Sequence, residues 1–242
     1  MGFYLAVMTR LSVAPTVVVV ALGLLCLSLS GCAATTAGTA MPAAPLPPAT
    51  AETLSNLLLS APEVGSALGA GELVATREVS SPWNDSAHFD NTDCLAVAGA
   101  AQKGVYEGTG WTDMRGQVLR EPPATPSWSH YAVQAVVLFP TPAAAAEFFI
   151  RSQRSWAGCS DRELTYTQQP APDQVWSVGP VSTERDVLTV SRTQRGPQQW
   201  SCQRALSVRG SVAVDVEACR LDGPSTAAAA IAGLIDERLP TA

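Results

Sequence analysis

Histidine is nearly absent from this chain: there are two, His88 and His130, in 242 residues. Cysteine never occurs as Cys-x-x-Cys. With so few imidazoles and no close thiol pair, the sequence offers no zinc cluster and no dithiol redox motif. Also missing are Gly-x-Ser-x-Gly, His-Glu-x-x-His and Gly-x-Gly-x-x-Gly, which mark an activated serine, a zinc protease helix and a dinucleotide loop. No enzyme, metal or cofactor is expected. Basic charge is in short supply as well, with 15 Lys and Arg against 21 Asp and Glu. An acidic chain is repelled by phosphate backbones, so nucleic acid is not an expected partner. Finally, no apolar run reaches the roughly 20 residues of a membrane-crossing helix.

The N-terminal stretch is informative despite that shortness. Residues 1–31 carry one charge, Arg10, ahead of an apolar core from Val17 to Leu29. This is the layout of a secretory signal peptide, with translation starting at Met1 or Met8. Leu29-Ser30-Gly31-Cys32 resembles the lipobox of bacterial lipoproteins. The resemblance implies cleavage before Cys32 and a diacylglyceryl group on its sulfur. It places the protein on the extracytoplasmic face of the cell membrane, lipid-anchored. A single acyl chain gives only about 10⁴ M⁻¹ of membrane affinity, and two chains make the tether stable. Loss of the leader removes Arg10 and leaves 14 basic residues against 21 acidic ones.

Residues 32–52 follow as a spacer of Ala, Thr, Pro and Gly, uncharged from Ala33 to Ala51. Pro42, Pro45, Pro47 and Pro48 favour extended geometry there. Residues 53–242 have the length of one domain. Four cysteines remain for it: Cys94, Cys159, Cys202 and Cys219. An even count in an exported domain reads as two disulfides, for which three pairings exist. Cys94–Cys159 and Cys202–Cys219 are favoured, since the second pair ends a predicted hairpin.

Ser60-Ala61-Pro62-Glu63 is a capping-box pattern, with Gly69 closing the helix that it starts. Strands are expected at 72–79, 111–119 and 130–139, the last being the most β-like run of the chain. A helix is expected from Asp93, carrying Leu95, Ala98, Gln102 and Val105 on one side. Another starts at Thr141-Pro142 with a core stripe of Ala145, Phe149, Ser152 and Trp156. Further strands fall near 162–168, 174–179 and 185–193. Residues 202–208 and 211–219 form a hairpin in which Val212, Val214 and Val216 alternate with Asp215 and Glu217. A three-residue loop would set Cys202 opposite Ala218, so joining Cys202 to Cys219 needs a bulge or another loop. A last helix over 225–238 would bury Ile231, Leu234 and Ile235. The expected class is α+β: an antiparallel sheet with helices packed on one face.

Several segments together are similar to a known family. Leu57 to Val64 (LLLSAPEV), Asp93-Cys94-Leu95, Tyr106 to Trp111 (YEGTGW), Gln134 to Pro140 (QAVVLFP), Phe148-Phe149, and Trp156-Ala157-Gly158-Cys159 resemble the PknH-like extracellular sensor domain of mycobacteria, as does the Cys202/Cys219 hairpin. The resemblance covers about residues 53–240. It implies an antiparallel sheet flanked by long helices, the same two disulfides, and a cleft for an unidentified ligand. Such domains occur on receptor kinases and as free lipoproteins. This chain shows no kinase domain, so the expectation is a module that does not transmit a signal by itself.

Tyr106, Trp111, Trp128 and Tyr131, with Gln134 as a polar group, are the candidate ligand-binding residues, because pockets combine apolar walls with few placed polar groups. The same rings also read as core, since aromatics dominate burial. Three functions compete. The first is a non-catalytic module that binds a small molecule, glycan or lipid of the envelope. The second is a protein-interaction module for an envelope protein or receptor kinase. The third is a cell-wall hydrolase. A pocket above about 300 Å³ favours the first, a flat apolar patch the second, and two facing carboxylates in a groove the third.

Overall fold

Nine strands and five α-helices follow one another along a chain whose computed structural model describes residues 49–125, 127–197 and 199–239. The expected signal peptide over 1–31, the expected lipid site Cys32 and the expected spacer up to residue 48 lie outside the described residues. Among the described residues no helix is long and apolar enough to cross a membrane.

Local sequence accounts for the first helix, α1 (Ala61–Leu68). The Ser60 backbone N–H and hydroxyl both donate to Glu63 Oε2, at 2.8 and 2.6 Å. Gly69 then takes φ +66°, a left-handed turn that glycine adopts without penalty. Strand β1 (Val74–Val79) follows.

The helix expected from Asp93 is broken in two, α2 (Leu95–Ala98) and α3 (Lys103–Tyr106). The break has an identifiable cause. Ala101 sits at φ +52°, and its N–H donates to the Asp215 carboxylate at 2.8 Å. A buried charge-assisted hydrogen bond replaces the intrahelical one.

Strands β2 (Asp113–Arg120) and β3 (His130–Leu138) lead to the long helix α4 (Pro142–Ala157). Thr141 caps α4 by accepting from the Ala144 N–H at 3.1 Å. The buried stripe is Ala145, Phe148, Ser152 and Trp156, and Phe149 is only partly buried. Strands β4 (Glu163–Gln168), β5 (Ala171–Val178), β6 (Ser182–Glu184) and β7 (Val187–Gln194) complete one side of the sheet. The strand expected at 185–193 is β7, starting two residues later, and it is preceded by the short strand β6, with which it forms a hairpin. Arg185 and Asp186 both have positive φ, as a tight two-residue turn demands.

Strands β8 (Trp200–Arg209) and β9 (Val212–Leu221) meet at a two-residue loop, Gly210-Ser211, with Gly210 at φ +56°. Arg209 pairs with Val212, so Cys202 falls directly opposite Cys219 without a bulge. Helix α5 (Ala227–Asp236) closes the fold. Ile231 and Ile235 are buried, whereas Leu234 is exposed. Both favoured disulfides, Cys94–Cys159 and Cys202–Cys219, are formed.

Among the described residues the nine strands all pair antiparallel, in the order β1-β2-β3-β9-β8-β7-β5-β4, with β6 on β7. The class is α+β, as expected, but the helices cover both faces of the sheet. Val212, Val214, Val216 and Ala218 pack with α1 and α5. Ala213, Leu206, Leu188 and Val137 pack with α4 and the 94–106 segment. Residues Val212 to Cys219 of β9 are all buried, which a sheet with one wet face would not allow.

Candidate functional site

Register brings charge into the core. On the α4 side of the sheet, Val118, Val133, Glu217, Arg204 and Val190 form one row across five strands. The next row holds Arg120, Tyr131, Cys219, Cys202 and Arg192. Asp215 lies one row the other way, opposite Leu206. The ion pairs run diagonally. Arg204 donates to Asp215 Oδ1 at 2.7 Å, and Arg192 pairs with Glu217. Their side chains are nine-tenths buried or more.

Arg204 shows how such burial is tolerated. Its Nη1 also donates to the Val216 carbonyl at 2.8 Å, and its Nε and Nη2 donate to the Ala96 carbonyl. The Trp156 ring of α4 covers the guanidinium at 5.2 Å. Asp215 Oδ2 accepts from the Tyr106 hydroxyl at 2.9 Å and from the Ala101 N–H. Burial first, and the Asp215 carboxylate second, hold the Tyr106 hydroxyl well above its ordinary pKa, so it stays a neutral donor. One ion pair thus anchors α2 through Ala96, the break through Ala101, α3 through Tyr106 and α4 through Trp156.

These anchored elements form the two walls of a groove of about 470 Å³. Buried Leu95, Ala96, Phe148 and Ser152 lie at its bottom. Phe148 stacks on Tyr106 at 4.8 Å between ring centres. Asp93 and Glu107 are exposed on the α2–α3 wall, and Arg151 and Ser155 on the α4 wall. The Cys94–Cys159 disulfide joins the start of α2 to the turn after α4, stapling the walls at one end. Ser86 enters from the 80–92 loop. That loop is held in place where the Lys103 N–H donates to the Trp83 carbonyl at 2.7 Å and Gln102 Nε2 to Asp85 at 2.7 Å. A second groove, about 450 Å³, lies between α1 and α5 and exposes Leu234. A third, about 720 Å³, runs between α5 and the β6–β7 hairpin.

The five candidate ligand residues do not converge. Tyr106 is fully buried beneath the first groove, and Trp111 packs partly buried against the same cluster. Tyr131 borders the Cys202–Cys219 cystine with Trp176. Exposed Trp128 packs at a tilt near Trp200 at 4.9 Å and Tyr131 at 6.0 Å between ring centres, with Arg120 over its ring. Gln134 points to the opposite face, where it clamps Leu59. Leu59 N–H donates to Gln134 Oε1 at 2.9 Å, and Gln134 Nε2 donates back to the Leu59 carbonyl at 2.8 Å. Residue type alone groups these rings, whereas strand parity separates Gln134 from Tyr131.

Sequence reasoning missed Asp215, Arg204, Glu217 and Arg192 as a core network, and Asp93, Glu107 and Arg151 as groove residues. A signal for the first set existed. Once Cys202 opposes Cys219, Arg204 must oppose Glu217. Glu217 also lies beside Cys202 and Cys219, but the two sulfurs are bonded to each other and offer no thiolate for a metal.

The comparisons with known proteins agree with this architecture. The family model described as the PknH-like extracellular domain matches residues 49–238. The serine/threonine-protein kinase PknH of Mycobacterium bovis is 33% identical over 196 residues, covering 81% of this chain and 32% of the kinase. PknH of Mycobacterium tuberculosis (strain ATCC 25618 / H37Rv) is 34% identical over 178 residues, covering 74% of this chain and 28% of the kinase. The chain therefore spans about a third of the length of these relatives. The crystal structure of the extracellular domain of PknH from Mycobacterium tuberculosis superposes with a TM-score of 0.73 at 33% identity, covering 79% of this chain and 97% of that one. The matched region is the extracellular domain of the kinase and not its catalytic one. With the family model spanning most of its length, the chain belongs to the PknH-like extracellular domain family.

Proposed function

We propose that this protein is a lipid-anchored, non-catalytic binding module on the extracytoplasmic face of the cell membrane, and that its ligand occupies the groove between α4 and the 92–109 segment. The groove carries the reading. Its volume is within the range of small-molecule sites, and its walls are fixed by a disulfide and a buried ion pair. Two disulfides suit an oxidising compartment, and the family is one of extracellular domains. A hydrolase finds less support. Asp93 and Glu107 share one wall, whereas glycoside hydrolysis needs carboxylates on both sides of the bond.

The α1–α5 groove favours a second reading, association with an envelope protein or receptor kinase. It exposes Leu234 and is lined also by Ala67, Ala230 and Gly233. Native mass spectrometry of protein taken from its own membrane separates the two. A retained small-molecule adduct supports the first reading, and a retained polypeptide with no small adduct supports the second. For the anchor, Cys32→Ala is expected to release the protein from carbonate-washed membranes. A variant that still sediments with them contradicts lipid attachment.

A further inference from the structure

The charges around the α4 groove are arranged by sign. The α2–α3 wall carries Asp93 and Glu107, and the α4 wall carries Arg151. None of the ion pairs among the described residues engages these three side chains. Between them lie buried Leu95, Ala96, Phe148 and Ser152, with half-buried Val105 as the accessible apolar surface. A ligand that satisfies both walls needs a cationic end, an anionic end and an apolar body of a few atoms. A neutral sugar would leave the charges unused, and this groove lacks an exposed aromatic ring on which a pyranose could stack, since Phe148 is 2% exposed. A fatty acyl chain would meet charges of both signs at the rim.

Resting on the reading that this groove is the ligand site, we propose that it takes a short zwitterionic peptide. The ammonium faces Asp93 and Glu107, the carboxylate faces Arg151, and small apolar side chains lie against half-buried Val105. Exposed ion pairs contribute modestly, so each charged end accounts for about fivefold in affinity at most.

The test uses the full chain solubilised from its membrane, with calorimetry for affinity and hydrogen exchange for location. The probes are tri-alanine with both ends free, N-acetyl-tri-alanine, tri-alanine amide, and a neutral tetramer of N-acetylglucosamine. Free tri-alanine is expected to protect 92–109 and 148–155, and blocking either end to weaken binding up to about fivefold. Arg151→Gln should erase the difference between free acid and amide while keeping that between free amine and acetyl. Asp93→Asn with Glu107→Gln should do the reverse. All three positions are exposed, so unchanged melting of the variants confirms their fold. Equal binding of all three peptides, equal weakening of all three by Arg151→Gln, or no peptide binding at millimolar concentration overturns the proposal. If the sugar tetramer protects these segments and the peptides do not, the groove reading stands and the ligand class is wrong. If the peptides protect only residues elsewhere, both the groove reading and the proposal fall.

Discussion

Removing the Asp215 side chain is the sharpest perturbation of the core. Asp215→Ala strips three hydrogen bonds at once, from Arg204, Tyr106 and Ala101, and leaves the Arg204 guanidinium buried without a counter-charge. Breaking a buried pair by deleting one partner costs about 3–5 kcal/mol. The orphaned tyrosine hydroxyl and backbone N–H are part of the same loss, so the terms do not add. We expect about 4 kcal/mol, a large share of the roughly 5–15 kcal/mol by which a domain is stable. At about 2–4 °C per kcal/mol for a domain of this size, melting should fall by about 8–16 °C. Arg204→Met combined with Asp215→Leu should recover part of this loss, because no unpaired buried charge remains. Urea titration of both variants, followed by tryptophan fluorescence, measures it. The reasoning is refuted if Asp215→Ala costs under about 1 kcal/mol, or if the double variant is less stable than the single one.

Other expectations are simpler. Replacing both cysteines of Cys94–Cys159, 65 residues apart, should cost about 4 kcal/mol, and those of Cys202–Cys219, 17 apart, about 3 kcal/mol. Only the first replacement should speed hydrogen exchange along both groove walls. Two carboxylates make the fold acid-sensitive. Hydrogen bonds from the Ser60 side chain and backbone, then from Arg238, lower Glu63 to about 2. Burial would raise Glu121, but hydrogen bonds from His130, the backbone and Ser129 outweigh it and bring this group also to about 2. Their folded values lie below the unfolded ones. Their stabilisation is therefore complete above the usual carboxylate pKa and lost as pH falls from about 4.5 towards 2. Glu63→Gln and Glu121→Gln should each flatten the stability profile in that window. An unchanged slope counts against the hydrogen-bond assignment.

Much of this fold can be read from local chemistry. The Ser60–Glu63 box, the Thr141-Pro142 start of α4, the His130–Leu138 strand and the four-cysteine count each carry a local signal, and each appears where expected. The broken helix at Ala101 does not have one. Its cause is Asp215, 114 residues away, and nothing near Ala101 announces that partner. Asp215 and Glu217 alternate with valines, a pattern that normally marks a half-wet strand. Only the arginines facing them, Arg204 and Arg192, allow both faces to be dry. The groove was invisible for the same reason. Arg151 and Asp93 are ordinary surface residues until the Cys94–Cys159 bond sets their elements side by side. The aromatic candidates failed to converge because residue type carries no information about which side of a strand a ring occupies.

Ligand occupancy of the α4 groove can be measured directly by hydrogen exchange on the full-length protein with and without an extract of its own cell envelope. Slower exchange confined to 92–109 and 148–155 is the predicted result. Unchanged exchange in both segments, with protection appearing only around α1 and α5, would contradict the account.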